Sequence, residues 1–136
     1  MAHLEGVNLK LHDLVKDLLE PDEVVDLVVS ENPVGSEEPF SPAIAFGTNK
    51  RVIIMRRGPI THRKRYAIID YAAITEIKVK YGLRFTKIHF SLKGEQMDSA
   101  NTASDWLCGL SKQDSMELLH FVEKMRAGIK KSESSD

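Results

Sequence analysis

A single cysteine, Cys108, excludes an internal disulfide and fits a reducing compartment. It follows Trp106 and Leu107, so an inert, packed thiol is expected there rather than a nucleophile. No apolar run approaches the length of a membrane span, and the N-terminus lacks the charged-then-apolar pattern of a secretory signal. A cytoplasmic protein, at most peripheral to a membrane, is therefore expected. There is no glycine-rich phosphate loop, since Gly47 and Gly58 stand alone. The five histidines, His3, His12, His62, His89 and His120, are scattered without metal-ligand spacing, and no nucleophile elbow is present. These absences point away from an enzyme and from any metal or cofactor. One further absence is local: from Pro39 to Ile69 there is no acidic residue.

That acid-free stretch is the centre of the chain. Ala43–Phe46 and Val52–Met55 are short apolar runs rich in strand formers, separated by Gly47-Thr48-Asn49-Lys50-Arg51. Gly and Asn tolerate the positive φ of tight turns, so the pattern predicts a β-hairpin. A second turn is expected at Arg57-Gly58-Pro59, where Pro cannot donate to a ladder. A third run, Arg65–Ile69, follows, with Tyr66, Ile68 and Ile69 as core candidates. The basic residues Lys50, Arg51, Arg56, Arg57, Arg63, Lys64 and Arg65 sit at the turns and strand ends of this meander. They form the candidate binding ribbon. The plainer alternative is that they are solvated strand ends that guard against edge pairing.

At 136 residues the chain reads as one domain with a core of its own. Net charge is −1, but it is polarised. Glu20, Asp22, Glu23, Asp26, Glu31, Glu37 and Glu38 precede the basic stretch. Such polarity is compatible with self-association through complementary patches.

Asn8 is a suitable N-cap for a helix over 8–19, with Leu11, Leu14, Val15, Leu18 and Leu19 as its apolar stripe and Pro21 as its stop. That stripe has to bury against the domain's own barrel or against another subunit. A first strand is expected at about 23–30, then a Pro- and Gly-containing loop over Asn32–Pro42. Residues 70–74 read as a short helical turn. Thr75–Tyr81 and Phe85–Leu92 alternate as half-buried antiparallel strands joined at Gly82. A weak last strand is expected over 95–100, with Trp106 and Leu107 as anchors on the body. The C-terminal helix, about 114–129, carries Leu118, Phe121, Val122, Met125 and Ile129 on one stripe, with Asp114 and Glu117 at capping-box spacing. A disordered tail is expected over 131–136.

The turn Thr48-Asn49-Lys50-Arg51 opening onto Val52-Ile53-Ile54, then Tyr66–Tyr71-Ala72-Ala73-Ile74 and a hairpin ending at Gly94-Glu95, resembles the prokaryotic pleckstrin-homology-like domains, most closely their YokE-like group. The resemblance covers about residues 20–128. It implies a mainly β fold: about seven antiparallel strands in two near-orthogonal sheets forming a partly open barrel of about 22–100, capped by the C-terminal helix, with the N-terminal helix as an addition. It implies no catalytic residues. Eukaryotic relatives bind phosphoinositides through basic residues after the first strand, but here that loop, Glu31–Pro42, is acidic, so no site residue carries over.

A non-catalytic interaction module is therefore expected, self-associating as a homo-oligomer or binding an acidic protein partner through the ribbon. The alternative is a peripheral adaptor for anionic lipid head groups, using Arg56, Arg57, Arg63, Lys64 and Arg65. Nucleic acid is disfavoured by the slightly negative net charge and by Tyr66 being the ribbon's one nearby stacking aromatic.

Overall fold

The computed structural model describes residues 15–35, 42–57, 63–93 and 106–134, the last five as backbone alone. Seven strands and one long helix follow in order: β1 (Val25–Ser30), β2 (Ile44–Thr48), β3 (Arg51–Arg57), β4 (Lys64–Asp70), β5 (Ile74–Tyr81), β6 (Thr86–Leu92), β7 (Trp106–Leu110) and α1 (Lys112–Ser134). A single 3-10 turn, Tyr71–Ala73, joins β4 to β5. The strands form two antiparallel meanders, β1-β2-β3-β4 and β5-β6-β7. No ladder joins the two sheets among the described residues, so they do not close into a barrel. One backbone bond ties them at a corner, from Asn32 N–H to Gly109 O at 2.8 Å.

The β2–β3 hairpin shows why the central run is so apolar. Val52, Ile53, Ile54 and Met55 are all buried, although successive residues point to opposite faces. The four-stranded sheet is covered on both sides, which removes any polar alternation. Its inner face, with Ala45, Val52, Ile54 and Ile69, meets Ile88 and Phe90 of the second sheet and Leu118 and Val122 of α1. Its outer face, with Phe46, Ile53 and Met55, meets Val15, Leu18 and Leu19.

That outer packing answers where Val15, Leu18 and Leu19 of the N-terminal stripe are buried: on the chain's own sheet. The expected helix over 8–19 falls outside the described residues up to position 14. Its described remainder, Val15–Leu18, is a turn closed by Leu18 N–H donating to Val15 O at 2.8 Å. Pro21 and the entry to β1 leave no room for a further helical turn there.

Four sequence expectations shift. Ile68 belongs on the outer face of β4 and is exposed, while Ala67 and Ile69 are buried. The last strand is Trp106–Leu110, so Trp106 and Leu107 are strand residues; the stretch 95–100 lies outside the described residues. The helix starts before Asp114, because Ser111 is the cap: its Oγ accepts the Asp114 N–H at 3.0 Å. The helix also continues to Ser134, so the tail is helical up to that point. Past Gly128 the sequence Ile-Lys-Lys-Ser-Glu-Ser holds no breaker, and the backbone ladder runs on.

Candidate docking site

The turn motif Thr48-Asn49-Lys50-Arg51 is a latch for the segment entering β1. Thr48 Oγ1 donates to Glu23 Oε2 at 2.6 Å and accepts the N–H groups of Lys50 and Arg51, each at 3.0 Å. Asn49 Oδ1 accepts the Val24 N–H at 2.8 Å, and its Nδ2 donates to Asp22 O at 3.2 Å. Lys50 Nζ lies 2.8 Å from Asp22 Oδ1 and 3.6 Å from Glu20 Oε1. Arg51 donates through Nε and Nη2 to the two oxygens of Glu23, each at 2.9 Å, and through Nη2 to Leu18 O at 2.7 Å. Lys50 holds the Asp22 carboxyl below its ordinary range. Burial works to raise Glu23, but hydrogen bonds from Arg51 and Thr48 outweigh it and hold its carboxyl low.

At the other end of the same sheet a second clasp is buried. Arg56 is 1% exposed and Glu31 3% exposed. Arg56 Nη1 and Nη2 donate to Glu31 Oε1 and Oε2 at 3.0 and 3.2 Å. Glu31 Oε1 also accepts the Ala43 N–H at 2.9 Å, and Oε2 the Cys108 N–H. One carboxylate, just past β1, thus joins the residue before β2, the end of β3 and the middle of β7.

The seven basic residues differ in burial. Lys50, Arg51 and Arg56 are engaged with Glu20, Asp22, Glu23 and Glu31 inside the chain, across the β1–β2–β3 register. Arg57, Arg63 and Lys64 are exposed and Arg65 is half-buried, where β3 ends and β4 begins. Here the ladder sets Arg57 opposite Lys64 and Arg56 opposite Arg65.

A second cationic hairpin lies at the same end of the molecule. The β1 terminus reaches β7 through the Asn32–Gly109 bond, and Gly35 packs against the Phe85 ring in the β5–β6 turn. In that hairpin Lys80 stands opposite Lys87, one pair back from the closing pair Tyr81–Thr86. The Lys87 ammonium lies 4.5 Å from the Trp106 ring centroid, and the Arg84 guanidinium 5.4 Å from that of Phe85. Lys80, Arg84 and Lys87 lie outside the ribbon that the sequence suggests. A signal for them is nevertheless present: residues 77–94 are as free of acid as the central stretch, with lysines placed to face each other once the hairpin is registered.

Like charges directly opposite on a ladder are destabilising. Two hairpins at one end of the molecule each carry such a pair, Arg57–Lys64 and Lys80–Lys87. Among the described residues no cluster of His, Cys, Asp and Glu could hold a metal ion, and no helix is long and apolar enough to cross a membrane.

The bacterial PH domain family model matches residues 19–107, and the chain belongs to that family. No curated protein matches its sequence. Among solved structures, it is similar to a pleckstrin-homology protein of the DUF1696 family from Shewanella loihica, at 17% identity and TM-score 0.57, over 86% of this chain and 94% of that one. A pleckstrin homology domain from Shewanella amazonensis aligns at 16% identity and TM-score 0.56, over 87% and 96% of the two chains. The hSac2 domain of the human phosphoinositide phosphatase Sac2 aligns at 12% identity and TM-score 0.56, over 93% and 84%. At these identities the likeness is one of fold. Domains of this fold are generally binding modules for proteins or lipids rather than catalysts.

Proposed function

We propose that this domain is a non-catalytic interaction module that docks an acidic surface on the end formed by the β3–β4 and β5–β6 hairpins. The observation that carries this reading is the same-sign cross-strand pairing at that end, Arg57 with Lys64 and Lys80 with Lys87. Lys50, Arg51 and Arg56 hold the fold together; the docking residues of this reading are the exposed Arg57, Arg63 and Lys64 and the half-buried Arg65, joined by the exposed Lys80, Arg84 and Lys87. Self-association by acidic-to-basic contact has less support, because Glu20, Asp22, Glu23 and Glu31 already pair within one chain.

The test is retention on immobilised heparin, a generic polyanion, in a salt gradient. Arg57→Glu with Lys64→Glu should elute at clearly lower salt than wild type. Lys124→Glu, exposed on α1, should elute close to wild type. Equal loss in both variants, or no retention of wild type at low salt, would refute a localised anion-docking end.

A further inference from the structure

Trp106 is the chain's single tryptophan, and it packs in neither core cluster among the described residues. Its neighbours in the second sheet show where it stands. Ile88 and Phe90 are buried in the main core, so alternation puts Lys87 and His89 of β6 on the opposite face. The ladders set Lys78, His89 and Trp106 side by side across the three strands, with Lys80 beside Lys87 in the next row. Lys78, Lys80 and Lys87 are exposed, and His89 and Trp106 are half-buried. The Lys87 ammonium lies 4.5 Å from the indole ring centroid. The one carboxylate in β5, β6 and β7 is Glu76, 3.6 Å from Lys78 and one row further from the hairpin turn.

We infer that this face is a platform for single-stranded nucleic acid: the indole and imidazole stack with unpaired bases while Lys78, Lys80 and Lys87 hold the phosphates. The inference rests on the anion-docking reading above, which already includes Lys80 and Lys87, and names its partner. An acidic protein surface is satisfied by the lysines alone. It does not account for the largest aromatic side chain standing off both cores, on the cationic face, one cross-strand step from an imidazole. A nucleic-acid strand presents a flat π face and a negative charge at every nucleotide, and this face offers a partner to each. The Lys87 ammonium beside the indole puts a phosphate-binding charge within one nucleotide's reach of the stacking surface. A duplex keeps its bases inside and engages only the lysines, whereas a single strand engages the rings as well. Three antiparallel strands give room for about two or three splayed bases. The basic ribbon has only Tyr66 as a nearby aromatic; the register of β6 with β7 supplies a second one, Trp106, to the cations of the second hairpin. The slightly negative net charge is no obstacle at this face, because Glu20, Asp22, Glu23 and Glu31 pair with Lys50, Arg51 and Arg56 inside the chain.

The experiment is titration of the full chain with a short oligothymidylate, followed through tryptophan emission. Trp106 is the only tryptophan, so the signal reports this face alone. Heparin, a polyanion without bases, is measured in parallel on the same proteins. Stacking should quench Trp106 emission strongly, whereas saturating heparin should leave most of it. Trp106→Leu should weaken oligothymidylate binding about ten-fold, read by the anisotropy of a labelled strand, while heparin retention stays unchanged. Trp106→Phe keeps a ring and should bind close to wild type, which separates stacking from loss of fold. Lys78→Gln with Lys80→Gln should reduce the slope of log affinity against log salt by about 0.7 per lysine. If wild type is held by heparin but ignores oligothymidylate, the end belongs to an acidic protein; if it binds the strand with no loss of Trp106 emission, bases do not stack here. Either result overturns the platform. If heparin retention is also absent, the docking reading itself has failed.

Discussion

Glu31 is the residue whose role the chain's local pattern hides most. It sits at the start of a loop that reads as acidic and solvated, yet it is buried and accepts from Arg56, Ala43 and Cys108. Its guanidinium partner lies 25 residues on, and one of its amide donors 77 residues on. No local period could link them. Arg56 is equally misleading: it stands in a basic run, but it also continues the strand whose preceding four residues are buried on both faces. Glu31→Gln leaves that guanidinium buried without its counter-charge and should cost about 3–5 kcal/mol of stability. The double change Glu31→Leu with Arg56→Met removes both charges but strands the Ala43 and Cys108 N–H groups. It should recover only part of that loss and remain about 2 kcal/mol or more below wild type. Urea unfolding of the three proteins measures this; a double variant as stable as wild type would show that Glu31 matters only to Arg56.

The elements themselves are legible because hydrophobic period is a local property. β2, β3, β5, β6 and the stripe Leu118–Ile129 of α1 all follow from it. The seating of one element on another is not legible. Gly47 reads as a turn residue, but it lies in β2 and makes room for α1: a Cβ there would stand 2.7 Å from the Phe121 ring. Gly47→Ala should therefore destabilise by about 1–3 kcal/mol through overpacking. Gly128, on the same helix, has open space where a side chain would begin, with no atom within 4 Å of an added methyl group. Gly128→Ala should instead stabilise by about 0.5–1 kcal/mol, as for any helix-interior glycine. Thermal unfolding of the two variants should shift in opposite directions. A neutral Gly47→Ala would mean that α1 does not rest so closely on β2.

For the whole molecule, charge is spent in two ways that the sequence cannot separate. The acidic first third and the basic middle look like surfaces for a partner, but Glu20, Asp22, Glu23 and Glu31 pair with Lys50, Arg51 and Arg56 inside the chain. Arg57, Arg63 and Lys64 beyond the register, and Lys80, Arg84 and Lys87 of the second hairpin, are exposed. Stability against acid follows from the internal pairs. Asp22 and Glu23 titrate below their ordinary values of 3.8 and 4.5, so their contribution is full above those values and is lost as pH falls through the lower folded ones. Asp114 runs the other way: burial, then Glu117, raises it from 3.8, so it opposes folding once pH rises through its folded value. The first two act through the latch that closes the sheet, so wild type should lose stability below about pH 4.5. Glu23→Gln should be less stable at neutral pH and fall less steeply in acid. Parallel acid limbs for the two proteins would remove Glu23 as a source of acid sensitivity.

The Glu31 carboxylate also bears on the order in which the chain is made. The strands that supply its first partners emerge early from the ribosome, but Cys108 emerges only when most of the polypeptide has been synthesised. Until then one oxygen of a carboxylate destined for the interior has no amide to receive, and the corner between the sheets stays open to water. Completion of the native state is thereby tied to the arrival of the seventh strand, a dependence on long-range pairing that slows closure and guards against a prematurely sealed half-domain.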